Sequence, residues 1–139
     1  MQIGVDSSLA VDNKRVFVVD TDEITRMAAV FMLHDEHETH ELADIAAVYA
    51  KARDWMPDVL ALGVGVVQAE GIGVLAELKQ RIPGVKILLL ADAGTETFVH
   101  ACRQAGADAA FVKPLEVGKL RTRVAALLGR RKPIVIHAI

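Results

Sequence analysis

Residues 57–67 read PDVLALGVGVV, and the fold turns on how that stretch is understood. Pro57-Asp58 breaks whatever precedes it, and Val59 to Val64 is a short apolar run with no polar alternation. Such a run reads as a strand buried on both faces, as in a parallel sheet. In open α/β sheets, ligands usually sit at the carboxyl ends of the strands. Here that end runs out into glycines and valines, with no group able to do chemistry.

Working outward, Arg15 to Asp20 (RVFVVD) is a second β-branched apolar strand. Asp22 or Thr21 can cap the helix that follows, predicted over about Glu23 to His34. A weak strand is expected at Thr39 to Leu42, then a short helix from about Asp44 to Trp55. After the strand at Val59, Gly65 to Gly71 reads as a loop leading into a helix from Ile72 to about Arg81, with Val74, Leu75 and Leu78 inward. Pro83-Gly84 is a turn, and Lys86 to Leu90 (KILLL) is a strand. A helix over about Thr95 to Gln104 is expected to bury Phe98, Ala101, Cys102 and Ala105, with Gly106 at its C-cap. Ala109 to Val112 is the fifth strand. Lys113-Pro114 then leads into a helix from Glu116 to Leu128 with Val117, Leu120, Val124 and Leu127 inward. Five strand-then-helix units make an α/β domain with a parallel sheet covered on both faces.

Composition sets the frame. The 139 residues, 53% apolar and 24% charged, suit one globular domain. We divide them into a leader at 1–14, the domain at 15–129 and a tail or linker at 130–139. A net charge of −2 without a basic stripe argues against nucleic-acid binding by this domain. No stretch approaches the roughly 18 uninterrupted apolar residues of a membrane span. The opening residues lack the basic start and apolar run of a secretory signal. Cys102 is the only cysteine. A reducing, cytoplasmic setting is the expectation.

RVFVVD, PDVLAL, Glu70-Gly71, KILLLA and QAGADAAFVKP, in this order and spacing, resemble the receiver domain of bacterial two-component response regulators. The resemblance runs from Arg15 to Leu128. It implies a flavodoxin-like (βα)5 doubly wound sheet with strand order 2-1-3-4-5. It also implies a domain that takes a phosphoryl group from a histidine kinase onto an aspartate ending the third strand. That chemistry needs a nucleophilic carboxylate and Mg²⁺ to offset charge on the phosphoryl oxygens. Carboxylates after the first strand hold the metal, a hydroxyl and a lysine bind the phosphoryl group, and an aromatic on the fifth strand reports the event.

Carried onto this sequence, the resemblance places the first metal carboxylate at Asp20 and the second at Thr21, with Asp22 one residue further on. The phosphoacceptor position falls on Gly63, the hydroxyl position on Ala91 and the switch aromatic on Ala110, with Phe111 beside it. Lys113 is retained, and Pro114 stands at the family's cis-proline position. The expectation is a pocket with no catalytic residue, no metal and no cofactor. Lys113 is expected to pair with Asp20 across it, the plainer alternative being that it reaches solvent.

Three further features need a reading. His34, His37 and His40 recur every third residue in HDEHETHE, but they straddle a helix end and a strand start. A solvated charged connection is therefore expected over a metal site. On the first helix, Ile24, Ala28, Met32 and Leu33 are expected to face the sheet, leaving Met27, Val30, Phe31 and His34 as a second apolar stripe. Such a stripe is normally covered, here by the leader, a second copy or a partner protein. The tail, RRKPIVIHAI, is apolar and β-prone, able to dock, swap or lead into a linker. Cys102 reads as a core residue.

The functional expectation is a phosphorylation-independent signalling module acting through a protein partner or as a homodimer, with an output domain possible in a longer parent. A sensor of a small ligand or anion in the vacated pocket is the alternative. A conventional phosphorylatable regulator comes behind these. No Ser/His/Asp or Cys/His arrangement suggests an enzyme.

Overall fold

Val16 to Val19 are fully buried along with Val59 to Leu62 and Ile87 to Ala91, and only a sheet covered on both sides achieves this. In the computed structural model, which describes residues 14–129, the sheet has five parallel strands in the order β2-β1-β3-β4-β5. They are β1 (Arg15–Val19), β2 (Glu38–Leu42), β3 (Val59–Gly63), β4 (Lys86–Ala91) and β5 (Ala109–Val112). Six helices alternate with them: α1 (Glu23–Leu33), α2 (Ile45–Ala52), α3 (Val64–Glu70), α4 (Val74–Arg81), α5 (Glu96–Gln104) and α6 (Val117–Leu127).

Because side chains alternate along a strand, the sheet feeds two cores. Phe17, Val19, Leu60, Leu62, Ile87 and Leu89 pack under α2 to α5. Val16, Val18, Ala61, Leu88, Leu90 and Phe111 pack under α1 and α6. Burying an apolar side chain of this size removes roughly 1.5–3 kcal/mol of exposed hydrophobic surface, so the two cores hold the layers together. The strand order sets β1, β3, β4 and β5 side by side, so their carboxyl ends share one edge of the sheet.

Several local expectations are corrected. Residues 64–70 are helical, not a loop: Val64, Val66 and Val67 gain burial on the sheet, which outweighs the helix-weakening Gly65. The inward face of α1 is Thr25, Ala29 and Leu33 at i, i+4 and i+8, and Ile24 turns outward. Ala28 and Met32 are only half-buried. On α5, Ala101 is exposed, while Cys102 is fully buried. Val117 is exposed at the start of α6, whose inward residues are Leu120 and Val124. His37 is buried, so the histidine-rich connection is solvated only in part. The leader and tail lie outside the described residues, Lys14 excepted.

Candidate functional site

β1 and β3 lie side by side with Val19 opposite Leu62, which sets Asp20, just after β1, against Gly63 at the end of β3. Neighbouring β4 ends at Ala91 and is followed by Asp92, and Lys113 follows β5. The Lys113 amide donates to the Ala91 carbonyl at 2.8 Å, which carries the β4–β5 ladder to the edge. The Lys113-Pro114 peptide is cis. Sheet topology thus gathers Asp20, Gly63, Ala91, Asp92 and Lys113 into one site.

The carboxylate of Asp20 dominates it. The residue is 5% exposed. Its Oδ1 accepts the Asp22 amide at 2.8 Å, and its main-chain carbonyl accepts Arg26 Nη1 at 2.8 Å. Oδ2 is buried and accepts no hydrogen bond, with Lys113 Nζ 3.8 Å away. A Cβ added to Gly63 would stand 2.3 Å from that oxygen. The carboxylate reached from β1 therefore fills the space that a side chain on β3 would need.

Lys113 lies between two carboxylates, facing Asp20 and, more closely at 3.2 Å, the exposed Asp92 Oδ1. Asp92 was missed in the sequence, although a carboxylate directly after β4 stands at the same edge as Asp20 after β1. Thr21 is exposed. Asp22 caps α1: its carboxylate accepts the Thr25 hydroxyl at 2.6 Å and the Ile24 amide at 3.4 Å. The Thr25 bond, ahead of smaller contributions, holds the Asp22 carboxyl below its ordinary range. Ala110 is half-buried toward α5, and Arg123 donates to its carbonyl from the other side; Phe111 belongs to the opposite core.

These donors do not fit Mg²⁺. The ion demands near-octahedral oxygens, with carboxylates properly placed. Only one oxygen of Asp20 is free, Asp22 is engaged in capping, and the ammonium of Lys113 stands beside both remaining acids. Among the described residues no group of three or more His, Cys, Asp or Glu side chains is arranged to hold a metal. His34, His37 and His40 accordingly do not converge. Of the stripe on α1, Met27 and Phe31 are exposed, whereas Val30 packs against the α1–α6 core.

A flavodoxin-like sheet with an acid–lysine cluster at its carboxyl edge defines a domain of the receiver type. The chain belongs to the response regulator receiver domain family, which matches residues 16–125. It is 32% identical over 121 residues to the response regulator MprA of Mycobacterium leprae, covering 86% of this chain and 53% of that one. It is 29% identical over 116 residues to the probable transcriptional regulatory protein TcrX of Mycobacterium tuberculosis, covering 83% and 50%. The chain thus spans about half the length of these relatives. A response regulator from Thermotoga maritima superposes with a TM-score of 0.77 at 20% identity, covering 84% of this chain and 98% of that one. A similar structure from Chloroflexus aurantiacus gives 0.76 at 23%, covering 86% and 100%. Both show the same fold. Among the described residues no helix is long and apolar enough to cross a membrane.

Proposed function

We propose that this chain is a receiver domain that signals by association without accepting a phosphoryl group. The observation that carries the reading is the occupied slot at Gly63: no carboxylate arises from β3, and Asp20 Oδ2 sits 2.3 Å from where its first carbon would be. Phosphoryl transfer needs a nucleophile in line with the phosphorus and cations around the developing charge. Asp20 is a poor substitute nucleophile because its free oxygen is buried. Ala91 offers no hydroxyl, and the donor set falls short of Mg²⁺. What remains is a fixed arrangement in which Lys113 ties the edge after β5 to Asp20 and Asp92.

The same geometry disfavours a small ligand in that slot, since the Asp20 carboxylate already fills it. The relatives are about twice as long as this chain, which supports a receiver unit working beside an output domain in a longer parent. Relatives named as transcriptional regulators make control of transcription the leading output, exerted through that second domain.

The test is intact mass after incubation with acetyl phosphate and Mg²⁺. The native chain is expected to gain no phosphoryl adduct, while a Gly63→Asp/Ala91→Thr/Thr21→Asp variant serves as the competent control. An adduct on the native chain would overturn the reading.

A further inference from the structure

The acids at the carboxyl edge of the sheet need a positive charge, and the chain supplies one of its own. Asp20 Oδ2 is buried, accepts no hydrogen bond and lies 3.8 Å from Lys113 Nζ. A carboxylate oxygen taken from water without a donor is costly, and a neighbouring cation offsets that cost. Asp92 Oδ1 stands 3.2 Å from the same ammonium. Carboxylates from the ends of β1 and β4 thus converge on one nitrogen, and Gly63 on the strand between them adds no side chain. Paired carboxylate oxygens are ligands of the kind that a hard divalent cation takes.

Lys113 stands where such an ion would have to pass. From solvent inward the order is Asp92, Lys113, Asp20, with side chains 61%, 24% and 8% exposed. A dissolved cation approaching Asp20 therefore meets the ammonium first, and like charges repel at that range. The ammonium is also tethered, so it acts at a high effective concentration that a free ion must exceed. Its backbone is fixed by the bond from its amide to the Ala91 carbonyl at 2.8 Å, which starts the side chain from a set place.

We propose that the Lys113 ammonium is a built-in replacement for a divalent cation, and that withdrawing it uncovers a cation site between Asp20 and Asp92. The inference rests on the reading that this receiver accepts no phosphoryl group, and it adds what holds the edge instead. A tethered charge keeps Asp20 and Asp92 together at any magnesium concentration. The phosphodonor experiment reads a covalent adduct, and the one below reads a reversible ion. A native chain that binds the ion yet gains no adduct would sink this inference and leave that reading standing.

Mn²⁺ is the probe, an ion suited to carboxylate and water ligands whose free form is counted by its paramagnetic resonance signal. The native chain is expected to leave that signal unchanged up to millimolar ion, with a melting temperature indifferent to Mn²⁺ and Mg²⁺. Lys113→Met should melt about 2–8 °C lower, because the buried Asp20 carboxylate loses its counter-charge. It should bind Mn²⁺ at least about tenfold more tightly than the native chain and regain stability as the ion is added. Lys113→Gln is a second variant without the charge. Both should keep the native circular dichroism, since Lys113 packs in neither core. Adding Asp20→Asn or Asp92→Asn to Lys113→Met should abolish the binding, which separates this site from stray surface carboxylates. Asp20-dependent binding of Mn²⁺ by the native chain overturns the proposal. So do charge-free variants as indifferent to the ion as the native chain.

Discussion

At Gly63 one added carbon changes the chemistry of the whole edge. Its φ of −62° and ψ of 137° suit any residue, so Gly63→Ala should gain about 0.4–1 kcal/mol by restricting the unfolded chain. That gain is offset by displacing the Asp20 carboxylate, whose flexible end is what the new Cβ meets. The net change should lie within about 1 kcal/mol of zero in urea unfolding. Gly63→Asp is different, because it crowds a second carboxylate against Asp20. Burial and the like charge raise the new group's folded pKa, so its cost is full at neutral pH and shrinks as pH falls through that raised value. We expect a loss of roughly 1–3 kcal/mol at pH 7, smaller at pH 4, with Gly63→Asn as the control lacking this pH dependence. Glu38, on β2, shows the opposite sign. Hydrogen bonds from Arg15 first and His40 second bring its pKa from 4.5 down to about 2. Its contribution is present above pH 4.5 and lost as pH falls toward 2, and Glu38→Gln should flatten that part of a stability–pH curve. The site is partly exposed, so the effect is small and salt-screened.

Among the elements, β4 and β5 are tied by a side chain as well as by their ladder. Asp108, just before β5, accepts the Ile87 amide at 2.8 Å and Lys79 Nζ at 2.5 Å with the same oxygen, linking β4, β5 and α4. Asp108→Ala leaves the Ile87 amide without that acceptor and should cost about 1–3 kcal/mol in urea unfolding; Lys79→Met, which spares the amide bond, should cost less. Strands β1, β3 and β4 were readable because burial on both faces leaves them almost purely apolar, as KILLL shows, whereas the edge strand β2, ETHEL, is largely polar and gives only a weak signal. Helix phase was less readable. α1 buries Thr25 and Ala29 while exposing Ile24, since small residues let the helix lie close to the sheet, and hydrophobicity alone points to the wrong side. α3 was hidden by the glycines at Gly65 and Gly71, which signal a loop until the burial of Val64, Val66 and Val67 is seen. At the site, the strand ends locate Gly63, Ala91 and Lys113 only together with the resemblance to receiver domains. The direction of the Asp20 carboxylate and the part played by Asp92 depend on side-chain placement across three strands, which no local pattern encodes.

At the scale of the whole molecule, one sheet separates two cores that share strands but not side chains. Leu89 lies wholly in the core under α2 to α5, and Leu120 wholly in the core under α6, each fully buried. Truncating either to alanine should cost about 2–5 kcal/mol through lost burial and the cavity left behind. Because the two cores have no side chain in common, the double variant should be additive to within about 0.5 kcal/mol. A domain of this size is stable by roughly 5–15 kcal/mol, so the summed loss is comparable to the whole. Each single variant should therefore still unfold in one cooperative step, with far-ultraviolet circular dichroism and tryptophan fluorescence coinciding. Trp55 lies in the loop between α2 and β3, with Arg15 of β1 stacked over its ring at 5.2 Å, so fluorescence reports on the first half of the sheet. If the Leu120→Ala variant lost helix signal before the fluorescence changed, the layer of α1 and α6 would be unfolding by itself. The strands would then not be coupling the two cores, and the fixed edge that Lys113 shares with Asp20 would not be rigid enough to hold a single signalling state.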